Sequence, residues 1–105
     1  MKYAIIIIVN EKGNKKMKVV LNRCYGGFSL SEEFCKAYPQ FKRYGEDQDN
    51  QELIKCIEEF GIDAQGDMAE FRIFELPNET TDYYIDDYDG YNQLIYVVNG
   101  KLNFF

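Results

Sequence analysis

"MKVVLNRCYGGFSLSEE", residues 17–33, decides the fold. Its opening, "MKVVLN" at 17–22, is β-branched and apolar and reads as a strand. Its end, "SLSEE" at 29–33, reads as the start of a helix. Ser31 is placed to cap it, and Glu32 and Glu33 suit the positive end of the helix dipole. Leu30 and Cys35 form a hydrophobic staple across the cap. Between strand and helix the chain turns through "NRCYGG". Gly26 and Gly27 accept positive φ where other residues meet a steric cost. Three readings of this corner compete. It is a folding corner plugged by Cys24, Phe28 and Leu30. It is an anion cradle built from glycine amides, Arg23, Ser29 and Ser31. Or it is a protein-contact loop presenting Tyr25 and Phe28. Glu32 and Glu33 count against the cradle, and the glycines match neither a dinucleotide fingerprint nor a P-loop.

Upstream, "YAIIIIV" at 3–9 is a continuous β-branched run. With Gly13–Asn14 as turn it is expected to form a β-hairpin with 17–22. The run is short, charged residues follow it, and no small-residue cleavage site appears, so it reads as strand rather than signal peptide. Downstream, "DNQELIKCIEEFG" at 49–61 is the clearest helix. Asp49 and Glu52 have capping-box spacing, the stripe Leu53, Ile54, Ile57 and Phe60 is apolar, and Gly61 stands at the C-terminal cap. Strands are expected over 69–76, 82–85 and 93–98. Asn99–Gly100 is a two-residue hairpin signal that returns "KLNFF". The order implies one α+β domain over residues 1–105: a mostly antiparallel sheet with two helices on one face.

Composition narrows the chemistry. Among 105 residues there is no His and no Trp, so the usual neutral-pH base and the commonest metal ligand are missing. The three cysteines, Cys24, Cys35 and Cys56, are odd in number and lack CxxC spacing. Neither a disulfide framework nor a zinc site is expected. Cys24 has no His to activate it as a nucleophile. The reading is a cytoplasmic protein with reduced thiols and no membrane segment. It is expected to be non-enzymatic, with no cofactor and no resident metal.

Charge is divided along the chain. Net charge is −6, but residues 1–43 carry nine Lys/Arg against three Asp/Glu, and residues 44–105 carry three against fifteen. Direct nucleic-acid binding is disfavoured, and a basic protein partner fits better. "ETTDYYIDDYDGYNQ" at 79–93 concentrates the acid: five carboxylates and four tyrosines with no basic residue. It reads as a solvated strand and turn at Asp89–Gly90, as a binding surface, or as an irregular calcium contact. An EF-hand is rejected, because Ile85 and Tyr96 would fill positions that need carboxylates. As a binding surface it offers Tyr83, Asp86, Asp87, Tyr88, Asp89 and Tyr91. Carboxylates spaced along a strand can imitate nucleic-acid phosphates toward a basic groove.

The pair "NRCYGGFSLSEE" and "IDDYDGY" resembles a group of small uncharacterised proteins of phages, prophages and bacteria. These share an Asn-x-Cys-aromatic-Gly-Gly-Phe-x-Leu-Ser motif and a downstream acidic Tyr-Asp-Gly segment. The matching positions are Asn22, Cys24, Tyr25, Gly26, Gly27, Phe28, Leu30 and Ser31, then Tyr88, Asp89 and Gly90. The "NGKLNFF" ending departs from that group. The resemblance implies a small accessory protein of mobile-element origin and no particular activity. The expectation is therefore a non-catalytic protein that binds another protein, such as a nucleic-acid-handling defence enzyme, through the acidic tyrosine-rich segment. Two alternatives stand beside it. One is a small-ligand or nucleotide binder using the Gly26–Gly27 loop. The other is a self-assembling component with "LNFF" as a dimer edge.

Overall fold

A computed structural model describes residues 17–105, so the expected strand over 3–9 lies outside the described residues. The elements are β1 (Lys18–Asn22), α1 (Glu32–Ala37), α2 (Gln51–Phe60), a 3-10 turn (Ile62–Ala64), β2 (Phe71–Glu75), β3 (Thr80–Tyr88), β4 (Tyr91–Val98) and β5 (Lys101–Phe104). The α+β class is as expected. The strands divide between two antiparallel sheets, however: β1–β2, and β3–β4–β5.

The division follows from how β1 is buried. Val19, Val20 and Leu21 are each fully buried, so β1 is covered on both faces. Val20 joins the helical core with Phe34, Leu53, Ile54 and Ile57. Val19 and Leu21 join a second core with Leu76 and Leu94, flanked by Phe74, Tyr83, Ile85 and Tyr96. The register agrees, since Val20 lies opposite Ile73 while Val19 lies opposite Phe74. The small sheet is thus the middle layer between two helices and a three-stranded sheet. A strand buried on both faces loses polar–apolar alternation, and "MKVVLN" shows that loss.

The edge of β1 away from β2 is closed by side-chain amides. Gln51 accepts from Lys18 N (3.0 Å) and donates to Lys18 O (2.7 Å). The Gln48 carbonyl accepts from Val20 N (2.9 Å), and its side chain donates to Val20 O (2.8 Å). Asn22 N donates to Asn92 Oδ1 (2.8 Å). Every second residue of β1 is paired this way, as a third strand would pair it.

Ser31 caps α1 as expected, its Oγ accepting from Phe34 N (3.1 Å). Leu30 is buried in the helical core, and Cys35 packs against that core. The cap of α2 is Asn50 rather than Asp49: Asn50 Oδ1 accepts from Glu52 N (3.0 Å) and Leu53 N (3.2 Å). Asp49 is engaged elsewhere, its carboxylate accepting from Tyr83 OH (2.9 Å). Gly61 ends α2 at φ 92°. The acidic strand is longer than expected, nine residues against the four of "DYYI", because the Asp89–Gly90 turn pairs it with β4 along its whole length. Asp89, Gly90, Asn99 and Gly100 all have positive φ, as two-residue hairpin turns need.

Phe34 is the centre of the helical core, with Tyr38, Phe60 and Phe41 ring centroids at 4.9, 5.4 and 6.1 Å. Phe34→Ala is expected to lower stability by about 3–5 kcal/mol in urea unfolding, the usual cost of emptying an aromatic core site.

Candidate functional site

The two motifs singled out in the sequence meet in space, and Asn22 joins them. Its side-chain nitrogen donates to Cys24 O and Gly90 O, each at 2.6 Å. Its Oδ1 accepts from Glu70 N (2.9 Å). Asn92 completes the junction. Its Oδ1 accepts from both Asn22 N (2.8 Å) and Gln48 Nε2 (2.7 Å), and its Nδ2 donates to Asp87 Oδ2 (3.3 Å). Asn22 and Asn92 are both fully buried. Buried amides are tolerated only when their donors and acceptors are matched, as they are here.

The corner loop is packed by its own chain. A Cβ on Gly90 would stand 2.6 Å from Gly27 N and 2.9 Å from Tyr25 O, so the turn fits only as glycine. A Cβ on Gly26 would overlap Met68, and Gly27 has φ 92°. Ser31 Oγ also donates to Asp63 O (2.6 Å), so its hydroxyl is fully engaged. Ser29 is buried. Phe28 stacks on Phe71 at 5.0 Å. This geometry is that of a folding corner closed by the Asp89–Gly90 turn.

Arg23 leaves the corner between two rings, 4.7 Å from the Phe105 centroid and 5.7 Å from that of Tyr91. Its Nε and Nη2 are buried and find no hydrogen-bond partner among the described residues. Ring faces supply the attraction instead. Tyr91 in turn packs on Tyr25 at 5.2 Å, and Tyr25 is 62% exposed.

The proposed contact residues of the acidic strand fall into two groups. Tyr83 points inward, its hydroxyl on Asp49. Asp87 is tied into the turn, Oδ1 accepting from Gly90 N (2.8 Å) and Oδ2 from Asn92. Tyr91 is half-buried between Tyr25 and Arg23. Asp86, Tyr88 and Asp89 are exposed, as is Asp87 despite its bonds in the turn. Alternation along β3 puts Asp82, Tyr84, Asp86 and Tyr88 on one outward face. The register then sets Tyr84 opposite Ile95, which lies opposite Phe104, and Asp82 opposite Val97, which lies opposite Leu102. Tyr84, Leu102 and Phe104 are 58%, 63% and 59% exposed. The outer face therefore carries an apolar band beside a row of carboxylates. Asp82 and Tyr84 were missed as contact residues in the sequence reading, and Leu102 and Phe104 entered it only within "LNFF" as a dimer edge. Fixing the Asp89–Gly90 turn first and alternating back from it finds the residues on β3.

All three cysteines are free thiols. Burial, then nearby Glu59 and Glu52, push the Cys56 thiol above its ordinary 9.0. Burial also raises Cys35. Among the described residues, no group of three or more His, Cys, Asp or Glu is placed to hold a metal. Among the same residues no helix is long and apolar enough to cross a membrane. Comparisons with protein-family models, curated proteins and solved structures returned no match.

Two outcomes follow. Gly90→Ala is expected to cost at least about 2 kcal/mol in urea unfolding, from left-handed backbone strain and the clash with Gly27. A raised thiol pKa stabilises the folded chain below the ordinary thiol range, and that stability is lost as pH rises through the folded value. Melting temperature is thus expected to fall above about pH 9. Cys56→Ala should flatten that fall.

Proposed function

We propose that this chain is a non-catalytic binding protein that engages a basic protein through the outer face of its three-stranded sheet. One observation carries the reading: Tyr84, Leu102 and Phe104 lie exposed on the sheet whose edge strand also exposes Asp82, Asp86, Tyr88 and Asp89. Exposed aromatic and aliphatic side chains supply contact area that gains from leaving water. The carboxylates beside them steer a basic partner and fix its register. Tyr25 extends the same aromatic surface past the hairpin turn through its contact with Tyr91.

The resemblance to small phage and prophage proteins gives the reading its setting. A mobile element gains from neutralising a nucleic-acid-handling defence enzyme, and an acidic face occupying that enzyme's basic groove is a direct means. The proposal needs no cofactor and no direct nucleic-acid contact.

The reversal to make is Asp82→Lys with Asp86→Lys, leaving Asp87 in place because it holds the turn. The tagged wild-type protein is used to capture bound proteins from a bacterial lysate at low and moderate salt, and the captured partner is titrated against the variant. Affinity is expected to fall at least about tenfold, or about 1.4 kcal/mol, with an unchanged circular dichroism spectrum. Unchanged affinity removes the acidic face from the interface. No capture by the wild-type at either salt counts against the reading as a whole.

A further inference from the structure

A second surface lies on the opposite side of the small sheet from β1. β2 pairs with β1 through one edge, and its other edge borders a groove of about 760 Å³. Residues 69–73 line it in unbroken succession, as they do when a strand presents its backbone edge. The opposite wall is the end of α2 with Ile57, Gly61 and Ile62. The groove continues past Ile62, Gln65 and Asp67 into a second lobe of about 650 Å³.

The backbone along this edge is partly closed. Phe71 N donates to Gln65 Oε1 (2.9 Å), and Phe71 O accepts from Arg72 Nη1 (2.9 Å). Ile73 lies opposite Val20, whose N–H and C=O turn away to Gln48, so Ile73 directs its own N–H and C=O outward. Neither finds a partner among the described residues. Ile62 is 79% exposed where the two lobes meet. Ile73 thus offers one outward N–H and C=O pair beside an exposed aliphatic side chain, the contact from which strand addition starts.

Charge selects the occupant. Among the described residues the two lobes are lined by Glu33, Glu58, Asp63, Asp67 and Glu70 against the single cation Arg72. Arg72 is already paired with Glu70 at 2.7 Å, and Glu58 with Lys18 at 2.9 Å. Glu33, Asp63 and Asp67 have no ion pair among the described residues.

We propose that this groove takes an extended protein segment of alternating apolar and basic residues, added as a strand to β2 at Ile73. Its apolar side chains pack toward Ile57 and Ile62, and its basic ones reach Asp67 and the neighbouring carboxylates. The surface is separate from the outer sheet face and does not depend on it.

The probe is a fluorescent, end-capped Val-Lys-Val-Lys-Val-Lys peptide titrated into the full chain by anisotropy. It is expected to bind, and Ile62→Ser with Asp67→Lys is expected to weaken it about tenfold. A peptide of the same sequence with a methylated central amide should bind at least as much more weakly, while Asp82→Lys with Asp86→Lys should leave binding unchanged. Both groove substitutions are at exposed positions, so folding is preserved, and circular dichroism checks it. Absence of binding overturns the proposal. So does equal binding of the methylated peptide, of a Val-Glu peptide or by the groove variant. Concentration-dependent dimerisation that the groove variant abolishes, with no peptide bound, would assign the edge to a second copy and overturn it as well.

Discussion

Asn22 is the residue on which the rest of the structure depends. One buried side chain and its own amide connect five places in the chain: the corner loop, the start of β2, the Asp89–Gly90 turn, β4 and, through Asn92, the loop holding Gln48. A hydrogen bond between neutral groups contributes about 1 kcal/mol net, but leaving a buried donor or acceptor unmatched costs about 1–3 kcal/mol. Asn22 and Asn92 therefore enforce geometry more than they add stability. Only one arrangement of the hairpin against the corner satisfies all of their groups. Asp in place of Asn22 would set a carboxylate oxygen against two carbonyls.

The same chemistry explains the layering. β1 is apolar on both faces and so must be covered twice. The helices cover one face and the three-stranded sheet the other. A strand so placed needs both edges paired. β2 takes one, and Gln51, Gln48 and Asn92 pair the other. Those amides come from α2, the loop before it and β4, so pairing the edge of β1 also fixes how the outer layers sit on it. This arrangement leaves the outward face of the hairpin sheet and the N–H and C=O of Ile73 on β2 without a partner among the described residues.

Much of this was legible from the residues. The Ser31 cap, the stripe of α2, Gly61 and the Asn99–Gly100 turn are local signals, and each is where its chemistry put it. The reading failed where a long-range partner decides. Asp49 has good capping chemistry, but Tyr83, thirty-four residues away, engages its carboxylate, and Asn50 caps instead. Tyr83 and Asp87 look like surface residues in an acidic run. Tyr83 turns inward because β3 is one long hairpin arm whose alternate residues face the core, while Asp87 stays exposed but is held in the turn by Gly90 N and Asn92. The amide edge of β1 had no local signature at all: Gln48 and Asn92 are ordinary polar residues until the fold sets them side by side. The Asn-x-Cys-aromatic-Gly-Gly motif did mark the place, where Asn22 and the corner loop pack against Gly90.

The most direct measurement is a double-mutant cycle on Asn22→Ala and Asn92→Ala, read by urea unfolding. The two side chains share a buried network, so their effects should depart from additivity by about 1 kcal/mol or more. The double variant is then expected to lose clearly less than the sum of the single losses. Strict additivity would mean that the two asparagines act independently, and that the corner and the hairpin are not held together by this junction.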